Sequence, residues 1–262
     1  TIRFSVVGIP NTACWAIDCR KRMAKYGTTE EDLALAKVVS SRHSVYNPYS
    51  RYRKAFTVEQ VLASPYVSSP LRLFEICATN DGAAAVILGS MDEVKKRTTK
   101  PITVAGAVMA SPLYGDTTMR LYKMSTDIQD EVPVFSEGYA ACRAAYEQAG
   151  LGPEDLSFVE LPDNSSWHYF EYIENEGLAK KGEAEKLLRD GDTAIGGRIP
   201  VNPSGGVASL GEAFPAQGIA QACEIVWQLR GECGQRQVEG AKAALGQTYG
   251  GFGNAACIIL KK

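Results

Sequence analysis

The stretch from Val201 to Asn254, VNPSGGVASLGEAFPAQGIAQACEIVWQLRGECGQRQVEGAKAALGQTYGGFGN, restricts the fold more than any other part of the chain. It opens on Asn202-Pro203-Ser204-Gly205-Gly206, a turn in which Gly205 and Gly206 admit backbone conformations closed to other residues. A helix is predicted next, because Ala216, Ile219, Ala220, Cys223, Val226, Trp227 and Arg230 recur every three or four residues and would turn one apolar stripe to a core. Pro215 suits its first turn and Gly231 its stop. Residues 241–245 then lead to a second glycine loop over 249–253, and the apolar run 255–260 reads as a buried strand. A glycine loop, a helix starting on it and a second glycine loop before a strand make a place fit for an anion. Asn202, Ser204, Gly205, Gly206, Gly250 and Gly251 are therefore candidate substrate-binding residues.

Upstream, helices are predicted over 13–26 and 32–42, the second opened by a capping box in Thr28-Thr29-Glu30-Glu31. A polar, tyrosine-rich loop over 43–53 separates them from the segment 56–63. Strands are expected over 83–88 (just after Asn80-Asp81-Gly82), 103–109 and 158–161, and a helix over 136–149. Residues 171–189 read as a charged helix at the surface, and Asp163-Asn164-Ser165-Ser166 as a helix cap. This alternation places the chain among layered α/β folds. Its net charge of −2 provides no broad electrostatic footprint for nucleic acid, and no apolar segment has the length of a membrane span. Seven cysteines, an odd and scattered set without zinc spacing, read as reduced thiols and point to the cytoplasm.

Several motifs in register resemble the thiolase superfamily, in particular the sterol-carrier-protein-2-type thiolases and the related lipid-transfer-protein steroid side-chain aldolases. They are the NPSGG turn at 202–206, the helix start at 211–218, Gln-Leu-Arg-Gly at 228–231, Arg-Gln-Val-Glu-Gly-Ala at 236–241, the glycine loop at 250–253, and Asp-Gly-Ala-Ala-Ala-Val at 81–86. The resemblance implies a thiolase-like layered α-β-α-β-α fold whose amino-terminal half, the part that carries the nucleophilic cysteine, has no counterpart here. On that reading residues 1–120 hold a loop domain and the end of the first half, and residues 121–262 the carboxyl-terminal half. It further implies a homodimer, an OB-fold partner protein of the DUF35 type that brings any zinc, an acyl-CoA substrate, and no cofactor or metal of the chain's own.

Laid over the family motifs, Glu212 stands where the activating histidine of the G-H-P motif belongs, and Tyr249 near the place of the last catalytic cysteine. Pro162 and Asp163 occupy the histidine–aspartate position. A carboxylate is a poor activator for a thiol nucleophile, which depends on a neighbouring cation for its low pKa. A retro-aldol cleavage needs only a base for a β-hydroxyl proton and donors for the departing thioester enolate. Tyr249 as base aided by Glu212, with Asp163 and His168 as further candidates, would split a β-hydroxyacyl-CoA into a ketone and a short acyl-CoA such as propionyl-CoA. Two alternatives stay open: an acyl-CoA thiolase whose nucleophile lies in the missing half, and a non-catalytic lipid-binding protein of the same fold. Bland roles compete for the same residues: His168 as a hydrogen-bonded ring between aromatic neighbours, Glu212 as a complement to a helix dipole, Tyr249 as a packing residue.

Overall fold

The computed structural model describes residues 8–111, 136–250 and 253–262. Helix α1 (Asn11–Tyr26) stops at Gly27, whose φ of 74° lies in the left-handed region. Helix α2 (Glu30–Ser44) starts on a capping box in which Thr29 Oγ1 accepts from the Asp32 N–H and the Asp32 carboxylate accepts from the Thr29 N–H. The box closes one residue later than Thr28 and Glu31 would place it, and α2 runs on through His43 into the predicted loop. Helix α3 (Val58–Leu62) has its own box, Thr57 with Gln60. A small antiparallel pair, β1 (Tyr66–Ser68) and β2 (Leu71–Arg72), follows, then the exposed helix α4 (Met91–Arg97).

The remaining elements are β3 (Thr103–Ala110), α5 (Ser136–Ala149), β4 (Phe158–Glu160), α6 (Ser166–Asn175), α7 (Ala184–Arg189), α8 (Gly206–Ser209), α9 (Gln217–Arg230), β5 (Ala243–Tyr249) and β6 (Ala255–Lys261). Among the described residues the strands form one mixed sheet in the order β3-β6-β5-β4; only the β4–β5 pair is parallel. Because successive side chains in a strand point to opposite faces, the sheet is apolar on both. Val159, Leu245, Cys257 and Ile259 pack into the core shared with α5 and α6, whereas Phe158, Ala244 and Leu260 meet Ile225 and Leu229 of α9. The result is a layered α/β arrangement with the sheet covered on each side.

Three stretches depart from the sequence reading. Residues 83–88 form no strand: Ile87 is 100% and Leu88 77% exposed, and the segment runs extended beside α9 without a ladder. A strand is defined by its hydrogen-bonded neighbour, and none lies beside this one among the described residues. The charged stretch 171–189 is only partly superficial: Lys180, Lys181, Glu183, Lys186 and Arg189 are exposed, but Glu171, Glu176 and Glu185 are buried, and it breaks into the end of α6, a turn and α7. Arg22 of α1 explains why, since it gathers Glu171 at 2.8 Å, Glu174 at 2.5 Å and Glu185 at 2.6 Å. Three carboxylates can leave water together only around such a shared cation.

The third departure concerns α9. Its fully buried side is Gln217, Gln221, Ala222, Glu224, Ile225, Gln228 and Leu229, about one residue's rotation from the apolar stripe that periodicity picks out. The polar members are buried because they have partners: Gln228 Nε2 donates to Glu224 and to the Arg236 carbonyl, and Arg236 pairs with Glu224 at 3.0 Å. The predicted stripe is only half-buried, and Ala216, Ala220, Cys223 and Trp227 of it line a cleft. Pro215 lies in the turn before the helix, which begins at Gln217, while Gly231 caps its end at a φ of 75°.

Candidate active site

The turn over 202–206 is closed upon the chain's own groups. Asn202 stands at a φ of 52°, its Oδ1 accepting from the Leu161 N–H at 2.7 Å. His43 reaches it from α2: Nδ1–H donates to the Asn202 carbonyl at 3.0 Å, and Nε2 accepts from the Ile195 N–H at 3.0 Å. Burial holds that ring neutral, its pKa lowered to about 4. The Ser204 N–H and hydroxyl both donate to Glu160, at 2.9 and 2.6 Å, and the Val207 N–H donates to Asp163 Oδ1 at 2.7 Å. The donors of this glycine turn therefore hold two internal carboxyl groups, and the place expected for an outside anion is taken by acids of the protein itself. A β-carbon on Gly206 would collide with the Asn202 amide and the Asp163 carboxylate, so glycine is required there on space as well as on its φ of 58°.

Asp163 is wholly buried, and burial raises its pKa to about 7 against the pull of the backbone N–H groups and of Lys37. Lys37, buried under Tyr52 and Phe56, donates to Ser209 Oγ at 2.9 Å and to the Ala208 carbonyl; burial lowers its pKa to about 7. Asp163 thus caps α8 from behind.

Glu212 sits in the opposite situation. Residues 77–80 run alongside it: the Glu212 N–H donates to the Ala78 carbonyl at 2.7 Å, and the Asn80 N–H donates to the Glu212 carbonyl at 3.2 Å. Its side chain is half-buried and accepts from Asn164 Nδ2 at 2.7 Å. Tyr249, the last residue of β5, lies within reach of its charge. Burial, the Glu212 carboxylate and Cys77 together push the phenol well above the ordinary tyrosine range. The phenol therefore feels the Glu212 charge and is protonated at neutral pH.

His168 packs behind Tyr249. Its ring lies parallel to the Tyr249 ring at 6.5 Å, meets Trp15 edge-on at 4.9 Å and bonds through Nδ1 with Ser165 Oγ at 2.8 Å. Ser165 is the cap of α6, as the sequence pattern anticipates. Among the four candidate catalytic residues, Glu212 acts on Tyr249 through its charge, the His168 ring lies parallel to that of Tyr249, and Asp163 lies behind the glycine turn. Gly250 continues from Tyr249 into the turn before β6, its N–H donating to the Asn254 carbonyl at 2.7 Å; Gly251 lies outside the described residues. Cys77 and Asn164 escape sequence reasoning as partners of Glu212, since residue order marks Cys77 only as a reduced thiol and Asn164 only as part of a helix cap.

Beside this cluster opens a cleft of about 400 Å³ between the 80–85 segment and α9. Asn80, Gly82, Ala213, Ala220 and Trp227 are among its walls, Glu160, Ser204 and Gly206 are at its base, and Gly211 and Ala213 bring it to both sides of Glu212. Tyr49 stacks on Trp227 at 5.6 Å where the tyrosine-rich loop meets the helix. Among the described residues no group of three His, Cys, Asp or Glu side chains is placed to hold a metal ion, and no helix is long and apolar enough to cross a membrane.

The Thiolase C-terminal domain-like family matches residues 122–262. Acetyl-CoA acetyltransferase of Methanothermobacter thermautotrophicus is 39% identical over 96% of the chain and 63% of its own length. Sterol carrier protein 2 of Bos taurus is 37% identical over 93% of the chain and 44% of its length. Among solved structures, the Ltp2–ChsH2(DUF35) aldolase superposes with a TM-score of 0.79 at 26% identity, covering 95% of this chain and 62% of that one. The chain thus spans less than two thirds of the length of these relatives.

Proposed function

This chain belongs to the thiolase superfamily, as a member of the sterol-carrier-protein-2 thiolase type, and we propose that it serves a retro-aldol cleavage of a β-hydroxyacyl-CoA with a bulky branched or polycyclic acyl part. The observation that carries the proposal is the Glu212 carboxylate, held by Asn164 at 2.7 Å on a loop whose Gly211 and Ala213 line the cleft, and acting by its charge on a protonated Tyr249. A carboxylate accepts a proton; a phenol held above its ordinary pKa gives a hydrogen bond or a proton. The roles are therefore divided differently from the sequence expectation. Glu212 takes the β-hydroxyl proton as that oxygen becomes a ketone, the Cα–Cβ bond breaks, and its electron pair passes into the thioester enolate. Tyr249 protonates Cα of the enolate and recovers its proton from Glu212, so the site returns to its starting state. The solved aldolase counterpart supports this reading. A protein of the DUF35 type, named in that neighbour, is the partner expected here, with any zinc held by it.

The name of the archaeal relative favours a second reading, acyl transfer between CoA thioesters, with a nucleophile supplied from outside the residues present here. A cleavage assay on β-hydroxyacyl-CoA and 3-ketoacyl-CoA panels, with and without a co-purifying partner, separates the readings. Turnover of the hydroxy esters that is lost in Tyr249→Phe supports the aldolase. An acyl-enzyme trapped with the keto esters supports the transferase. Binding of CoA esters without turnover of either panel refutes both and leaves a lipid-binding role.

A further inference from the structure

Cys77 lies on the segment that runs from the small β1–β2 pair to the cleft. Its N–H donates to the Asn164 carbonyl at 2.9 Å, and the bonds between Ala78, Asn80 and Glu212 hold the next residues of that segment against the loop that carries the carboxylate. This lacing sets three side chains together. Asn164 is fully buried and sends Nδ2 to Glu212 Oε1 at 2.7 Å, and the half-buried Cys77 lies near enough for the same carboxylate to disfavour its thiolate. Asn164 Oδ1 has no partner among the described residues, so the amide is oriented by the carboxylate and not by a competing donor.

We infer that Cys77 and Asn164 are positioning residues for Glu212, two donors from separate segments that together fix the plane of its carboxylate toward Tyr249. The inference rests on the reading of Glu212 as the base. Two hydrogen bonds remove the rotational freedom that a carboxylate at a cleft rim otherwise keeps, and oriented groups react faster than mobile ones. A thiol suits the second position because it donates weakly and carries no charge, leaving the carboxylate basic. The same contact makes Cys77 a poor nucleophile. Burial and the charges of Glu212 and Asp163 disfavour its thiolate, and only the Asn164 amide acts the other way. Tyr249 faces the trio from the end of β5 and feels both Glu212 and Cys77.

The test has two arms. In the first, alkylation of Cys77 by iodoacetamide at pH 8 is followed by peptide mass mapping of the native protein, with the half-buried Cys14 and Cys223 as internal standards. Glu212→Gln keeps size and removes charge, so Cys77 should react about tenfold faster or more, since each unit of pKa is a factor of ten in thiolate below the pKa, while the standards keep their rates. An unchanged Cys77 rate overturns the contact, and a parallel rise in all three rates shows loosened packing and overturns it too. In the second arm, Cys77→Ala and Asn164→Ala should each lower kcat about tenfold on a β-hydroxyacyl-CoA with little change in KM, and Cys77→Ser should restore most of the loss. Full activity in Cys77→Ala overturns the positioning role while the reading of Glu212 stands. Absence of turnover in the wild-type protein overturns the functional reading and the role with it, whereas the alkylation arm still decides the thiol–carboxylate contact.

Discussion

The glycine-rich turn over 202–206 and the loop over 211–215 lie a few residues apart and each carries glycine and proline, yet the carboxyl groups beside them are held in opposite ways. Asp163 is clasped by backbone N–H groups at the start of α8, sealed from solvent, with its pKa raised to about 7. Glu212 is held by a side-chain amide at the edge of the cleft, beside a phenol and a thiol. Backbone donors cannot be rearranged without unfolding the turn, so the first arrangement suits support. Side-chain donors leave a face of the carboxylate open, and the second suits chemistry. The same elements, a glycine turn and an acid, thus serve the fold in one place and face a cleft in the other.

Breaking the supporting turn should have the largest effect. Gly206→Ala places a β-carbon against Asn202 and Asp163 at a left-handed φ, and should lower stability by about 3 kcal/mol, read from urea unfolding. At the open loop the cost should fall on rate instead. Tyr249→Phe is expected to reduce turnover of a β-hydroxyacyl-CoA roughly a hundredfold with an unfolding midpoint close to wild type; a large stability loss with little rate loss would reverse the contrast drawn above.

The pH dependence of stability sharpens the comparison further. Asp163 has a folded pKa of about 7, above its value in the unfolded chain, so the folded state holds the extra proton between about pH 4 and pH 7. Its contribution is complete at acid pH and is lost as pH rises through 7. Asp163→Asn should flatten this part of the stability–pH curve, read from urea unfolding at a series of pH values. The smallest effect is expected at the mouth of the cleft. Tyr49→Ala removes a stacked, exposed ring from Trp227 and should change stability by no more than about 0.5 kcal/mol, while raising KM a few-fold.

Much of the local structure was legible from residue order. The stops at Gly27 and Gly231, the strands expected over 103–109 and 255–260 and the Ser165 cap follow from glycine conformation, apolar runs and hydroxyl capping, all of which act over a few residues. Residues 83–88 show where this fails, because an apolar run with β-branched residues states a preference that only a neighbouring strand can satisfy. The burial of Glu171, Glu174 and Glu185 was equally hidden, since it depends on Arg22 about 150 residues earlier. In α9, hydrophobic periodicity selected the face on the cleft, because Glu224 and Gln228 become core residues only once Arg236 is in place.

By itself the sequence determined the family, the α/β class and the replacement of histidine by Glu212 and of cysteine by Tyr249 at two motif positions, since these are matters of residue identity and short-range spacing. The tertiary structure alone decided which acid is support and which is open to a cleft, which oxygen keeps its proton, and that Cys77 and Asn164 meet Glu212. Those outcomes depend on burial and on groups from distant segments, and a pKa or a hydrogen bond exists only when both partners have been brought together.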